Sequence, residues 1–484
     1  MLLTDLIDGL DILYARGNLN VDIKGIAYDS RNVGKGCLFV CIGGMKTDGH
    51  SYTKQALEKG AAAFIAQKPL ALETEAPVII TSNTREALAY VSDKYFGHPS
   101  GRFNLIGITG TKGKTTTCFM IRSILEAAGR KTGMIGTLGV RIGDRVLHTE
   151  RTTPESLDLQ QLFAQMADEG VQDVVMEVSS QGLALHRVKY CDFDTAVFTN
   201  LSRDHISPSE HASMDEYLEA KTLLFKYCKV GLVNRDCSYA DRVIEKAGCG
   251  IFTYSINGKT DIRAVNPVYL PGAVRFDMVS PWYNRSFRVN IPGRFTVYNA
   301  LAAASVSGVA GIPGDAVALG LERVQVPGRA EPVETGRDFS VIIDYAHTPD
   351  SLENILITVK AFTRGNVICV FGCGGDRDRT KRPMMGAVSG QYADYTVITS
   401  DNPRTEDPDA IIRDIEEGIK TTSGKYICIT DRREAIRHAI ASASSGDVVL
   451  LAGKGHETYQ IFGDRTIHFD EREILREILD NDFC

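Results

Sequence analysis

The stretch Gly107-Ile-Thr-Gly110-Thr-Lys-Gly113-Lys114-Thr115-Thr116 carries the densest chemistry in the chain. Its glycines let backbone N–H groups turn toward an anion, and a helix opening near Lys114 adds the positive end of its dipole. In such a loop Lys114 bridges the β- and γ-phosphates of a nucleotide, and the Thr115 hydroxyl reaches Mg²⁺. The spacing is GxxGxxGKT. The strict form would need glycine at position 108, where Ile108 stands, so this is a phosphate-loop variant. The loop residues expected at ATP are Gly110, Thr111, Lys112, Gly113, Lys114, Thr115 and Thr116.

Phosphoryl transfer also needs groups that hold the metal. Glu177 ends the apolar run VVMEVSS, and His205 follows a similar run in TNLSRDHI. Alone, each would be an ordinary polar residue at a strand end. Downstream of a phosphate loop in one sheet, they point toward its crevice, and metal ligation becomes the better reading. Lys221 lies in MDEYLEAKTLLF with Tyr217, Leu218, Leu224 and Phe225 at helical spacing around it, so it falls in the apolar stripe of an amphipathic helix. It either snorkels to solvent or stays buried, where an amine can add CO₂ and become an anionic carbamate able to hold a second Mg²⁺. Asp401-Asn402-Pro403-Arg404 closes the run YTVITS; proline fixes a turn, and Arg404 offers a planar fork for a carboxylate.

These residues need a rigid frame that brings distant loops together. Two turn-forming clusters, His98-Pro99-Ser100-Gly101 and Val326-Pro327-Gly328-Arg329, divide the 484 residues into blocks 1–99, 100–327 and 328–484. In the second, FNLIGITG leads into a helix from Lys114, and DVVMEVSS and DTAVFTNLS follow as strands. The third alternates FSVIIDYA, a helix from Pro349, NVICVFGC, YTVITSDN, KYICIT and DVVLLAGKG. Short Val/Ile-rich runs between helical stretches predict parallel sheets covered on both faces, with ligands at the strands' carboxyl ends. The first block is mixed α/β, with strands in GIAYDSR, CLFVCIGG and AAFIAQ.

Composition excludes several classes. With 43% hydrophobic and 24% charged residues the chain is neither disordered, collagen-like nor a coiled coil. A net charge of −7 gives no global field for nucleic acid or an anionic membrane, so any anionic ligand needs a local site. Eleven scattered cysteines without a CxxC pair predict reduced, mostly buried thiols rather than disulfides or zinc ligands. The opening residues carry Asp5, Asp8 and Asp11 and no basic cluster, unlike a signal peptide, and no apolar run is long enough to span a membrane. A cytoplasmic protein is expected, and monomer is the default.

GTKGKTT, MEVSS, NLSRDH, YLEAKTLLF, YNALAA and DYAHTPDSL occur in one order along one chain. Together they resemble the Mur ligases, ATP-dependent amide-forming enzymes of peptidoglycan precursor synthesis. The resemblance runs from the DSR at 29–31 to the GKGHE at 453–457. It implies three α/β domains: an N-terminal UDP-binding domain, a central P-loop ATPase-type parallel sheet and a C-terminal Rossmann-like domain. It also implies ATP with two Mg²⁺, held by Thr115, Glu177, His205 and a carbamylated Lys221, with Lys114 on the phosphates. Asn299 would face adenine, and Arg329, Asp344 and His347 would reach the nucleotide. Ser30, Thr152, Thr153, Ser179 and Arg187 match positions that hold the UDP-muramoyl dipeptide.

In the family, a DNPR at 401–404 goes with meso-diaminopimelate as the amino acid added to UDP-N-acetylmuramoyl-L-alanyl-D-glutamate. Arg377, Gly453 and Glu457 match the rest of that pocket, although the basic loop around Arg377 also reads as a solvated surface. A family member using L-lysine or another diamino acid, and a P-loop NTPase switch without ligation chemistry, are the alternatives; no NKxD-like guanine-reading motif supports the switch. Thr296 stands where the family usually has Asn, Leu185 replaces a commonly polar residue, and the segment His205–Met214 is about two residues longer than usual.

Overall fold

The computed structural model describes residues 1–44, 47–203, 206, 210–270 and 272–481. Its contacts define two compact units. The first holds 1–263, 279–284 and 298–320; the second holds 264–278, 285–297 and the chain from 321 onward. No helix among the described residues is long and apolar enough to cross a membrane.

The first unit contains two sheets. One has five strands in the order Tyr14–Arg16, Val78–Ile80, Ala63–Ala66, Cys37–Val40 and Gly25–Ala27, parallel except for the antiparallel first pair. Strands such as Ala63–Ala66 are buried on both faces, as their unbroken apolar run requires. Asn83 caps the helix Thr84–Tyr95 by accepting from the amides of Arg85 and Glu86.

In the larger sheet, Asn104–Thr109 lies between Asp173–Glu177 and Phe193–Phe198, all parallel. Thr132–Gly136 continues the sheet beyond 173–177, and Cys228–Asn234 continues it beyond 193–198. Glu177 is in register with Ile108, and Phe198 with Thr109. The loops after these three strands therefore leave the sheet side by side, at the same level. That register brings residues 62 and 88 positions away, Glu177 and Asn200, to the phosphate loop.

The second unit carries a sheet ordered Glu331–Val333, Ser340–Asp344, Val448–Ala452, Val367–Phe371, Tyr395–Ile398 and Lys425–Cys428. Only its first pair is antiparallel. Val341, Ile343, Ile368, Val370, Val449 and Leu451 pack against the helices Arg432–Ser442 and Glu471–Asn481. The intervening residues Ile342, Cys369 and Leu450 are equally buried on the opposite face. This sheet and the central strands of the larger one are the parallel type expected, whereas the larger sheet continues beyond Thr132–Gly136 through the antiparallel strands Gly139–Ile142 and Arg145–Leu147.

The thiols correct one expectation. Of the ten described cysteines five are buried, four are half-buried and Cys428 is exposed. Burial is thus the state of half of them rather than of most, because Cys37, Cys228, Cys237 and Cys249 sit at the ends of strands or in the loops beside them.

Candidate active site

The helix Lys114–Ala127 starts where the loop leaves the central strand, with Gly113 as its N-cap at φ +87°. Only glycine fits there: a Cβ would stand 2.6 Å from Asn299 Oδ1. At Gly110, φ is +147° and a Cβ would fall 2.0 Å from Thr199 Oγ1. The loop is braced from the next strand. Thr111 N donates to Asn200 O (2.9 Å), Lys112 N to Asn200 Oδ1 (2.9 Å), and Thr199 Oγ1 to Lys112 O (2.7 Å). Lys114 Nζ donates to the carbonyls of Gly110 (2.9 Å) and Thr111 (3.1 Å), which holds the ammonium over its own loop. Thr116 is half-buried beside the buried Thr115.

Glu177 is 2% exposed. Its carboxylate accepts from Thr115 Oγ1 (2.9 Å), Thr137 N (2.9 Å) and Thr137 Oγ1 (3.2 Å). Among the described residues it forms no ion pair. A buried carboxylate touching the phosphate-loop hydroxyl, with no cation on it, is a hard-oxygen donor set that fits Mg²⁺. His205 lies outside the described residues.

Lys221 does not snorkel. It is 1% exposed, among Tyr217, Leu218, Leu224 and Phe225, each at most 1% exposed. Its Nζ donates to Gly110 O (3.0 Å) and sits 4.5 Å from the Tyr217 ring centroid. The helix around it, Met214–Thr222, tightens into a 3₁₀ turn at Leu223–Lys226. Asn299 lies against the loop, its Oδ1 accepting from Thr117 Oγ1 at 3.4 Å. Thr296, the departure three residues earlier, donates to Pro292 O (2.9 Å).

Four of the five dipeptide-binding candidates converge beside Glu177. Thr153 Oγ1 donates to Glu177 O and accepts from Ser179 N, each at 3.0 Å, and Arg187 Nη1 donates to Thr153 O (3.1 Å). Thr152 Oγ1 lies 3.1 Å from Thr137 Oγ1. Ser179 caps the short helix Ser180–Ala184. Ser30 is bonded instead to Gln55 Oε1 (2.7 Å). A cleft of about 530 Å³ lies alongside, lined by Tyr28, Arg31, Arg151, Glu155 and Asp158 among others.

Several residues here escaped the sequence reading. Glu155, 2% exposed, pairs with Arg85 (2.9 Å) and Arg187 (3.4 Å) at the start of the helix Ser156–Asp168. Burial draws the Arg187 guanidinium down, and Glu155 opposes that. His211, 1% exposed, has Nε2 2.9 Å from Ser180 Oγ and stacks on Tyr217, whose hydroxyl lies 3.2 Å from Thr111 Oγ1. Glu155 could have been suspected from its place directly after TTP. Nothing local marks Arg85 or His211.

In the second unit, Arg329, Asp344 and His347 gather at the end of the strand Ser340–Asp344. Asp344 Oδ2 accepts from Ala330 N (2.7 Å), and the Arg329 guanidinium lies 4.7 Å over the Tyr345 ring. Tyr345 also packs against His347 and His456 with tilted rings, at 4.6 and 4.7 Å between ring centroids. Burial pushes His456 down to about 4.

The loops after Tyr395–Ile398 and Val448–Ala452 meet. Asp401 accepts from Asn402 N (2.8 Å), and a Cβ on Gly453 would stand 2.9 Å from Asp401 Oδ2. Glu457 Oε2 accepts from Asn402 Nδ2 (2.8 Å). Pro403 is buried, and Gly375 packs onto its carbonyl so closely that a Cβ would lie 1.9 Å away. Arg404 is half-buried at φ +52°, with Nη1 donating to Gly375 O (2.7 Å). Arg377 is exposed and, among the described residues, forms no hydrogen bond or ion pair.

A phosphate loop with an adjoining buried carboxylate and a separate parallel sheet with a charged loop cluster define a P-loop ligase architecture, and the chain belongs to the Mur ligase family. Models of its catalytic domain, middle domain and glutamate ligase domain match residues 22–96, 108–307 and 328–455. The chain is 49% identical to UDP-N-acetylmuramoyl-L-alanyl-D-glutamate--2,6-diaminopimelate ligase of Caldanaerobacter subterraneus, over 99% of both chains. It is 47% identical to the protein of the same name from Geobacillus thermodenitrificans, over 94% of this chain and 95% of that one. A solved structure of that name matches with TM-score 0.74 and 31% identity, over 100% of this chain and 99% of the other. The MurF ligase of Thermotoga maritima, solved with ADP, shares the fold at TM-score 0.62 and 18% identity, over 94% of this chain and 97% of that one.

Proposed function

We propose that this protein joins meso-diaminopimelate to UDP-N-acetylmuramoyl-L-alanyl-D-glutamate at the expense of ATP, releasing ADP and phosphate, as a monomer in the cytoplasm. The observation that carries the reading is full-length identity of 49% to a ligase of that name, and the DNPR turn that presents Arg404 supports it. Labour divides along the sequence blocks. Residues 1–99 with Thr152, Thr153, Ser179 and Arg187 hold the UDP-muramoyl dipeptide. Residues 100–327 hold the phosphates, and 328–484 hold the amino acid.

A carboxylate is a poor acyl donor because its oxygen does not leave. Transfer of the γ-phosphoryl group of ATP to the substrate's D-glutamyl carboxylate gives an acyl phosphate, whose phosphate leaves when the amine attacks. The protein positions these groups and offsets the negative charge that accumulates. Lys114 and the backbone amides after Gly110 take the phosphates. Thr115 and Glu177, with His205 and a carbamylated Lys221, would hold Mg²⁺, which when bound neutralises charge on the transferred phosphoryl group. Glu177 has both carboxylate oxygens fixed by hydroxyl and amide donors, so it faces the loop in one orientation. Thr153 ties the dipeptide loop to the backbone of Glu177 itself. Asn299, Arg329, Asp344 and His347 complete nucleotide binding, and Arg404, Arg377, Asp401, Asn402, Gly453 and Glu457 receive the diamino acid.

ADP release measured with each substrate omitted in turn tests the reading. Turnover should require the UDP-muramoyl dipeptide and diaminopimelate together, with lysine and ornithine poor replacements. ATP hydrolysis at full rate with neither cosubstrate would instead support a nucleotide switch. For Lys221, carbamylation should appear as about 44 Da of added mass on the intact site. Activity should fall on CO₂ removal and return with bicarbonate. An unmodified amine together with CO₂-independent turnover would remove the carbamate from the mechanism.

A further inference from the structure

The 453–457 loop contains a lysine in a place lysine rarely occupies. Lys454 has 0% of its surface exposed. Its Nζ lies 3.2 Å from Asn402 Oδ1 and 3.2 Å from Glu457 Oε2, with the rings of Tyr459 and Phe469 at 5.7 and 6.0 Å. Asn402 closes a triangle. Its Oδ1 also accepts from Ile461 N (3.1 Å), so its Nδ2 is left to donate to Glu457 Oε2 (2.8 Å). This fixes which way the amide faces. A buried ammonium is costly unless each proton finds a partner, and a nonpolar side chain would usually fill such a space as well for stability. Both of its partners are residues assigned above to the amino acid.

We propose that Lys454 is a positioning residue for amino-acid recognition: it locks the Glu457 carboxylate and the Asn402 amide in the one orientation that receives an ammonium group of the diamino acid. The inference rests on the reading that these loops hold that substrate. Lys454 does not itself touch the substrate in this role; it acts through Glu457. Burial pushes the Glu457 carboxyl up and Asp401 adds to this, while Lys454 and Asn402 pull it back. The charged and titratable groups around Glu457 are Lys454, Asp401 and the phenols of Tyr345 and Tyr459. Without Lys454 the carboxyl rises further, and its anionic fraction falls as pH is lowered.

Steady-state kinetics of the full chain with ATP, the UDP-muramoyl dipeptide and diaminopimelate test this. Lys454→Gln should raise the KM for diaminopimelate about tenfold or more, leave the KM for ATP within about twofold of wild type, and show a larger rise at the acidic end of the enzyme's working pH range than at the basic end. Lys454→Arg keeps the charge but displaces its partners. It should give a smaller rise without the pH dependence, and it carries the test if the glutamine variant does not fold. An equal rise in every KM, a pH-independent rise in Lys454→Gln, or no rise would overturn the proposal. Glu457→Gln separates the two layers. If it raises the diaminopimelate KM while Lys454→Gln does not, only the role of Lys454 falls. If it changes nothing, the assignment of this loop to the amino acid falls as well.

Discussion

Lys114→Ala should lower kcat on the order of a hundred- to a thousandfold, the usual loss when one preorganised charge partner of a transition state is removed. Lys114 opens the helix Lys114–Ala127, a position where alanine is fully compatible with helical backbone. The helix is held by Thr117, Met120, Ile121, Ile124 and Leu125, each buried at 0% exposure. The ammonium donates to the carbonyls of Gly110 and Thr111 in its own loop. The variant should therefore fold with a Tm close to wild type, so the loss belongs to phosphoryl transfer and not to stability. ADP release under saturating substrates, alongside thermal melting, gives both readouts. A variant that melts normally and retains more than about a tenth of wild-type kcat would show that the 110–116 loop does not carry the reaction.

The second large effect concerns selectivity. Diaminopimelate is lysine with one further carboxylate, and Arg404 is the fork we propose receives it. Its backbone is fixed independently of the side chain: Arg404 N donates to Ile461 O (3.1 Å), and Gly463 N donates back to Arg404 O (2.6 Å). The φ of +52° decides which substitution is a fair test. Alanine there adds backbone strain of about 1–2 kcal/mol, whereas asparagine adopts this conformation readily. Arg404→Asn should thus remove the charge and keep the turn. Losing a charge-paired guanidinium is worth roughly 2–5 kcal/mol, which is about thirtyfold or more in the ratio of kcat/KM for diaminopimelate over lysine. The guanidinium already donates one N–H to Gly375 O, so it is oriented rather than left to search. Unchanged selectivity in a folded Arg404→Asn enzyme would break the link between this turn and the second carboxylate.

The phosphate loop was legible because its chemistry is contiguous: glycines, lysine and hydroxyls lie within ten residues, after a strand and before a helix. The parallel sheets were legible for a similar local reason. Strands covered on both faces read as unbroken Val/Ile/Leu runs, and Val448–Ala452 and Val367–Phe371 are buried along their whole length. The turn residues at 401–404 announced themselves through proline and their place after an apolar run. Lys221 was half legible. Helical spacing put it in the apolar stripe, but spacing alone left open whether its amine reached solvent.

Periodicity and local turn chemistry thus determined the elements, their order and the loops proposed to hold anions, since both act within a few residues of chain. Tertiary structure alone decided the partners. The register of Glu177 beside Ile108 brings it to the Thr115 hydroxyl, 62 positions away. Arg85 meets Glu155 across 70 positions, and Lys454 reaches Asn402 across 52. A buried charge has no sequence signature of its own, because what makes it tolerable is a counter-group that arrives from another strand only once the sheet has formed.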